Sequence, residues 1–228
     1  WLGTDAQGRD LYAMMVIGTG KTLMIGAIAG AIGLGLGIVL GFVAGYVGGV
    51  ADTIITSLVD IFMTIPSFLI LILVATMLTN VSLGVTTMGL IVGFVSWPGS
   101  ARAIRAQVLS MRERPFVMMA KLSGMKSLEI ILKELVPNLL PFLVMSLSQA
   151  VYGGIMTSLG LEGIGIGSRR EPTMGMTLYY VNYYSGFLLG LWWWILAPVV
   201  IIVMTLTSLV LTSIGLDEIA NPRVKSRI

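Results

Sequence analysis

Histidine and cysteine are both absent from the 228 residues. Without them the chain has no disulfide, no thiolate, no imidazole metal ligand, and none of the Ser-His or Cys-His pairs that activate a nucleophile. Charge is scarce too: charged residues make up 11% of the sequence, where soluble domains carry about a quarter. What fills the chain instead is apolar, with 56% hydrophobic residues and a mean hydropathy of +0.95, so it reads as an integral membrane protein. At about 20 residues per span plus loops, this length holds five or six helices. One helical membrane domain, 1–228, uses all of it.

Apolar runs predict spans at 22–46, 53–79, 84–99, 138–160 and 190–214, the third being short. The polar connections between and around them are 1–21, 47–52, 80–83, 100–137, 161–189 and 215–228. Segment 100–137 holds Arg102, Arg105, Arg112, Arg114, Lys121, Lys126 and Lys133, and the tail holds Arg223, Lys225 and Arg227. The positive-inside rule makes both segments cytoplasmic, and the two spans between them agree. The net charge of +3 is thus spent on orientation, not on nucleic acid. Segment 161–189, rich in Gly and Tyr, is then external, and counting back through three spans puts 1–21 outside as well.

The first span carries Gly26, Gly30, Gly33, Gly37, Gly41 and Gly45, of which the first four form a stripe roughly 60° wide. Such a face lets another helix approach closely, either inside this subunit or at a subunit interface or pore wall. Gly18-Thr-Gly-Lys-Thr22 resembles the end of a phosphate-binding loop, but Met15 stands where its first glycine belongs and no strand leads in. Asp60 is the acidic residue well inside an apolar span. A charge there must be paired, hydrated or facing a cavity, which leaves a structural tie or a relay in a transport path. Pro66 removes a helical hydrogen bond and predicts a kink. Gly163–Pro172, the tyrosines 179, 180, 183 and 184, and Trp192 to Trp194 read as an interfacial aromatic belt with a more exposed Gly-rich part, a candidate docking surface.

Segment 100–137 is amphipathic, with apolar Val117, Leu122, Met125, Leu128, Ile131, Leu132 and Leu135 at helical spacing. It predicts two short helices broken at Gly124, with Ser127 as the second N-cap, Glu129 four residues before Lys133, and Pro137 as the end. By itself this is also what a basic loop lying on anionic lipid would look like.

Ala120-x-x-x-Gly124, then Ile130-Ile131 and Pro137-Asn138, resembles the EAA loop of ABC importer permeases, and Arg105 to Arg114 with Phe116-Val117 resembles the approach to it. Leu2-Gly-Thr-Asp-Ala-Gln-Gly-Arg-Asp10, Gly45–Asp52 with Asp60 and Pro66, Leu159–Gly165, Asp217 and Asn221-Pro-Arg223 resemble, in order, motifs of the C-type permeases of dipeptide, oligopeptide and nickel importers. The sequence departs from the family where Met118 and Met119 replace glutamate and alanine, Glu134 replaces histidine, and Met14 and Gly20 replace two arginines.

The resemblance implies an all-α, polytopic helical membrane protein of the ABC importer type I permease (MetI-like) fold. Five spans are visible, and the family's six imply one before Trp1. It also implies a permease subunit without catalysis of its own, working with a homologous permease subunit, two ATPases that use ATP and Mg, and an external solute-binding protein. The substrate would be a dipeptide or oligopeptide, ahead of an oligosaccharide or nickel. ATPase coupling would fall to Phe116, Val117, Ala120, Lys121, Gly124, Ile130, Ile131, Pro137 and Asn138, with Asp60 and Pro66 lining the path or supporting it. No catalytic, cofactor or metal residue is assigned. The implied location is the cytoplasmic membrane of a prokaryote, with a cytoplasmic C-terminus. An ion-coupled secondary carrier is the alternative; it would need an intramembrane ionisable network, to which the spans contribute Asp60.

Overall fold

Asp10 starts the first helix by accepting hydrogen bonds from the Tyr12 and Ala13 amides at 2.8 and 3.2 Å, as an N-cap carboxylate does. The helix α1 (Leu11–Phe42) runs on through a π-helical turn at Val43–Val47. It begins well before the predicted span at 22, because the polar residues that suggested a connection are satisfied where they lie. The Lys21 Nζ meets Glu171 at 2.9 Å, and the Thr22 hydroxyl accepts the Met174 amide at 3.1 Å. The phosphate-loop look-alike is thus the middle of a helix, whose amides are used in its own ladder.

The computed structural model describes the backbone of residues 2–78 and 83–220, with side chains as far as Leu216. The readings made for Trp1, for the Asp217 side chain and for the tail motif at 221–223 lie outside the described residues. Beyond α1 come α2 (Gly49–Thr64), α3 (Ser67–Met77), α4 (Val85–Arg112), α5 (Pro115–Leu122), α6 (Ser127–Ile130), α7 (Val136–Gly163), α8 (Met174–Tyr183) and α9 (Trp192–Ala220). Among the described residues the one extended pairing is an isolated bridge between Thr4 and Asp10.

Leu11–Val47, Ser127–Gly163 and Trp192–Leu216 are each long and apolar enough to cross a membrane, and the bent pair α2 and α3 makes a fourth candidate. Helix α4 is long enough, but its apolar run is short; it continues past the predicted end at 99 through Arg102 and Arg105 to Arg112. The predicted span 53–79 is made of α2 and α3, which meet at 85° where a kink was expected at Pro66. Pro66 forces this break, because proline pushes the preceding residue out of the helical region, and Ile65 is extended at φ −88°, ψ 128°.

The α1 glycines decide how the bundle closes. A Cβ at Gly30 would lie 2.8 Å from Val151 of α7, and one at Gly41 2.8 Å from Ile104 of α4. Gly89 and Gly93 of α4 return the fit against Ile28 and Ile32 at 2.8 Å, and Gly154 of α7 does so against Ala29 at 2.8 Å. The stripe therefore packs within the subunit. In lipid, where burial of apolar area gives no drive between helices, such backbone approach is what holds spans together.

At the other end of α4, Glu171 accepts the Val85 amide at 2.9 Å while holding Lys21. The Val85 N–H, and after it Lys21, lower the carboxyl pKa below its usual 4.5.

Gly30→Val should lower stability by about 1–3 kcal/mol through overpacking, seen as a reduced thermal midpoint of the purified protein. Gly35→Val, whose Cβ would meet nothing within 4 Å, is the control and should stay within about 0.5 kcal/mol. The contribution of Glu171 is complete above its unfolded pKa of about 4.5 and is lost as pH falls through the lowered value. Glu171→Gln should remove that acid limb from the midpoint-against-pH curve.

Candidate functional site

The end of the bundle that carries 100–137 is built by α5 and α6. Arg114 precedes α5 with extended backbone and Pro115 takes its first turn, where a missing N–H costs nothing. The helix ends in a Schellman motif: the Met125 amide donates to the Ala120 carbonyl at 3.2 Å and the Gly124 amide to Lys121 at 3.1 Å. Gly124 has the left-handed φ of +79° that this motif needs. The Ala120-to-Gly124 spacing is therefore a helix stop with a defined direction.

Ser127, expected as the next N-cap, is instead the first residue of α6. The open Lys126 amide goes to the Glu129 carboxylate at 3.1 Å, and Glu129 also meets Lys133 at 3.5 Å. Pro137 does not end the helix. A π-helical turn at Ile131–Leu135 carries α6 straight into α7. Its wider winding sends the Val136 amide to Ile131, and the Asn138 side-chain amide donates to the Glu134 carbonyl at 2.7 Å. The ring that removes one donor is followed by a side chain that adds one.

The apolar positions divide between two faces. Val117, Ala120, Ile130 and Leu135 are buried in one cluster with Leu34 and Phe42 at the end of α1, Ile104 and Val108 of α4, and Leu139 of α7. Phe116 and Ile131 pack against that cluster partly buried. Met118, Met119, Leu122, Leu128 and Leu132 face outward, Leu122 being 82% and Leu128 66% exposed. Sequence spacing alone had merged Leu122, Leu128 and Leu132 with the inner face. Lys121 stands over the Tyr46 ring at 5.6 Å, and Pro137 and Asn138 are exposed.

Three arginines of α4 tie the neighbouring helix ends. Arg105 makes a two-pronged pair with Asp52 of α2 at 2.5 and 2.7 Å, and Arg112 donates to the Gly45 carbonyl in the π turn at 3.1 Å. Arg102 pairs with Asp60. Asp60 is thus a tie between α2 and α4, and the sequence reading had overlooked its companion Asp52–Arg105, though an acidic residue opening a helix near an arginine-bearing one was visible.

At the opposite end, Thr173 caps the start of α8, which buries Met174, Met176 and Val181. The aromatic group is split: Trp194 is fully buried, the Trp193 indole donates to the Thr4 carbonyl at 3.2 Å, and Trp192 and Tyr183 are exposed. Arg9, Arg169, Arg170 and Tyr180 border a cavity of about 190 Å³, with the Arg9 guanidinium 5.0 Å from the Tyr180 ring centroid and held by Asp5 at 2.6 Å.

Residues 37–226 match the family described as binding-protein-dependent transport system inner membrane component. The chain is 32% identical over 226 residues to the oligopeptide transport system permease protein OppC of Mycobacterium tuberculosis, covering 99% of this chain and 77% of that one. It is 28% identical over 225 residues to the dipeptide transport system permease protein DppC of Bacillus subtilis, covering 99% and 69%. A chain from an inward-facing structure of the MetNI methionine ABC transporter matches with a TM-score of 0.73 at 18% identity, over 92% of this chain and 96% of that one. That likeness is one of fold, and it carries the expected all-α MetI-like architecture. The chain belongs to the inner membrane components of binding-protein-dependent transport systems: it is a permease subunit of an importer, not an enzyme.

Proposed function

We propose that this permease imports peptides and that α5 and α6 dock it to an ATPase. Peptide is the substrate class because the similar OppC and DppC are named for oligopeptide and dipeptide transport. The observation that carries the docking reading is the two-faced α5–α6 unit. Its inner face is keyed into the ends of α1, α4 and α7, and its outer face leaves Met118, Met119, Leu122, Leu128 and Leu132 in the open. Apolar side chains gathered on a face too polar to lie in hydrocarbon suit a protein partner. Phe116, Val117, Ala120, Ile130 and Ile131 would anchor the unit, Gly124 set its angle, and Lys121, Pro137 and Asn138 shape its edge and its junction with α7.

On this reading residues 1–228 act as a single transmembrane domain with 100–137 as its cytoplasmic coupling segment, in the cytoplasmic membrane of a prokaryote and with a cytoplasmic C-terminus. The seven basic residues of that segment support the orientation. Two partner ATPases bind and hydrolyse ATP with Mg, and this chain binds no cofactor. A homologous permease subunit completes the path. A solute-binding protein docks at 161–189, where Arg169, Arg170 and Glu171 line a cavity together with Arg9. ATPase closure moves α5–α6 as a rigid lever and rocks the spans between inward-open and outward-open states.

Leu122→Asp and Leu128→Asp should each lower ATP-driven peptide uptake and ATPase co-purification at least tenfold, because burying one leucine is worth about 1.5–3 kcal/mol, with membrane insertion unchanged. Normal co-purification from both variants would sink the docking face. Gly124→Val should uncouple ATP hydrolysis from uptake while inserting normally, and Gly124→Asn, which tolerates the left-handed region, should recover most of the coupling. Equal behaviour of the two would argue against a role for the angle at Gly124.

A further inference from the structure

Glu162 stands on the last turn of α7, just past the predicted end of that span at 160, and is 1% exposed. Neither the docking unit nor the ties between helices uses it. Its carboxyl lies against the Thr173 hydroxyl and the Gly175 amide at the start of α8, while its Oε2 has no hydrogen-bond partner.

The start of α8 is built around this group. The Met174 amide goes to the Thr22 hydroxyl at 3.1 Å, the Met176 amide to the Thr173 hydroxyl at 3.3 Å and the Thr177 amide to the Thr173 carbonyl at 3.0 Å. A helix cannot satisfy its first amides internally, and of these Gly175 is left for Glu162. Space is reserved as well. A Cβ on Gly175 would lie 2.5 Å from Oε2, and one on Gly167 would lie 2.9 Å from the Glu162 Cγ and 2.8 Å from the Met176 sulfur.

No cation balances the carboxyl. Lys21 of α1 is taken by Glu171, Arg9 is taken by Asp5, and Arg169 and Arg170 are exposed on the loop before α8. On α8 itself, Tyr180 lies under the Arg9 guanidinium and Tyr179 against Gly165. Helix α3 and the described side chains of α9 carry no charge. Among the described residues no cluster of three metal-ligating side chains includes Glu162, which leaves the proton as the cation that fits.

We propose that Glu162 is a proton-binding site and that its proton seats α8 on the end of α7. With the proton bound the carboxyl is neutral, and its O–H can turn to the Thr173 hydroxyl, which both donates and accepts. With the proton released to external water, a carboxylate with about four acceptor sites faces two donors and no cation. A buried charge so poorly matched is relieved by water, and water reaches it when α8 lifts. The seat is complete at low pH and is lost as pH rises through the range where Glu162 gives up its proton. Helix α8 also carries Met176, Thr177 and Tyr180, which line the cavity shared with Arg9, Arg169 and Arg170, so lifting it alters that face. The seat stands on the packing; its consequence for a solute-binding protein rests on the docking read for 161–189.

The chain has no cysteine, so a single cysteine at Val181, which is 2% exposed on α8, reports how far that helix lifts. In the assembled transporter, its rate of modification by a charged methanethiosulfonate reagent is divided by the rate in a Glu162→Gln background, which cancels the reagent's own pH dependence. The ratio should be near one at about pH 5 and at least tenfold higher at about pH 8, a range in which folded proteins are generally most stable. Glu162→Met, neutral and also unbranched, should match Glu162→Gln. A ratio that stays level across that range overturns the proton site. So does failure of both neutral variants to assemble, since charge is then what the seat needs. Stimulation of ATP hydrolysis by the cognate solute-binding protein should fall over the same range relative to Glu162→Gln. A rising ratio with level stimulation keeps the proton site and overturns its link to docking at 161–189.

Discussion

The close backbone approach of α1 to α4 and α7 is the constraint from which the rest follows. A bilayer offers no hydrophobic reward for joining helices, so contact must come from dispersion over surfaces that fit. Gly26 and Gly30 admit Ile155 and Val151 of α7, and Gly37, Gly41 and Gly45 admit Ser100, Ile104 and Val108 of α4. A single helix thereby holds two others at fixed depth and rotation.

Polar contacts then lock the ends of that frame. At one end Glu171 joins the start of α4 to Lys21 of α1, and Thr22 joins α1 to the start of α8. At the other, Arg105 holds α2 and Arg112 holds the end of α1. Helix α2 depends on these ties, since of its side chains Val59 is the buried one. The inner face of α5–α6 enters the same cluster as the ends of α1, α4 and α7. Because α6 runs into α7 with no loop between them, a push on the outer face has little slack in which to dissipate.

Much of this was legible in the residues. The break at Gly124, the membrane class, the close-packing stripe on α1 and the strain at Pro66 all express local chemistry, and local chemistry is what a sequence displays. The misreadings arose where distant partners change the outcome. Lys21 suggested a connection until Glu171 absorbed its charge, which let α1 begin at Leu11. Arg102 and Arg105 suggested the end of a span, yet Asp60 and Asp52 keep them on α4. Leu122, Leu128 and Leu132 share helical spacing with buried residues, but Gly124 turns the chain between them, so which face is inner depends on the turn.

Pro137 is the instructive case. A proline after a short amphipathic helix ordinarily terminates it. Here a π turn shifts the bonding so that Val136 reaches Ile131, and Asn138 returns a donor to Glu134. The other π turn, at Val43–Val47, lies at the same end of the bundle, and there Arg112 supplies the donor for Gly45. In both places a wide turn with weaker internal bonding is held by a side chain from just outside it. Wide turns are poorer helices than their neighbours and commonly mark functional positions. Both adjoin the cluster that receives α5–α6, the π turn of α7 burying Leu135 in it and that of α1 packing Tyr46 against it. The proline and the asparagine after it are therefore two halves of one device: the first forbids regular α-helical bonding at the junction, and the second adds a donor beside the π turn that takes its place. This joins the docking unit to a membrane span through continuous helical backbone.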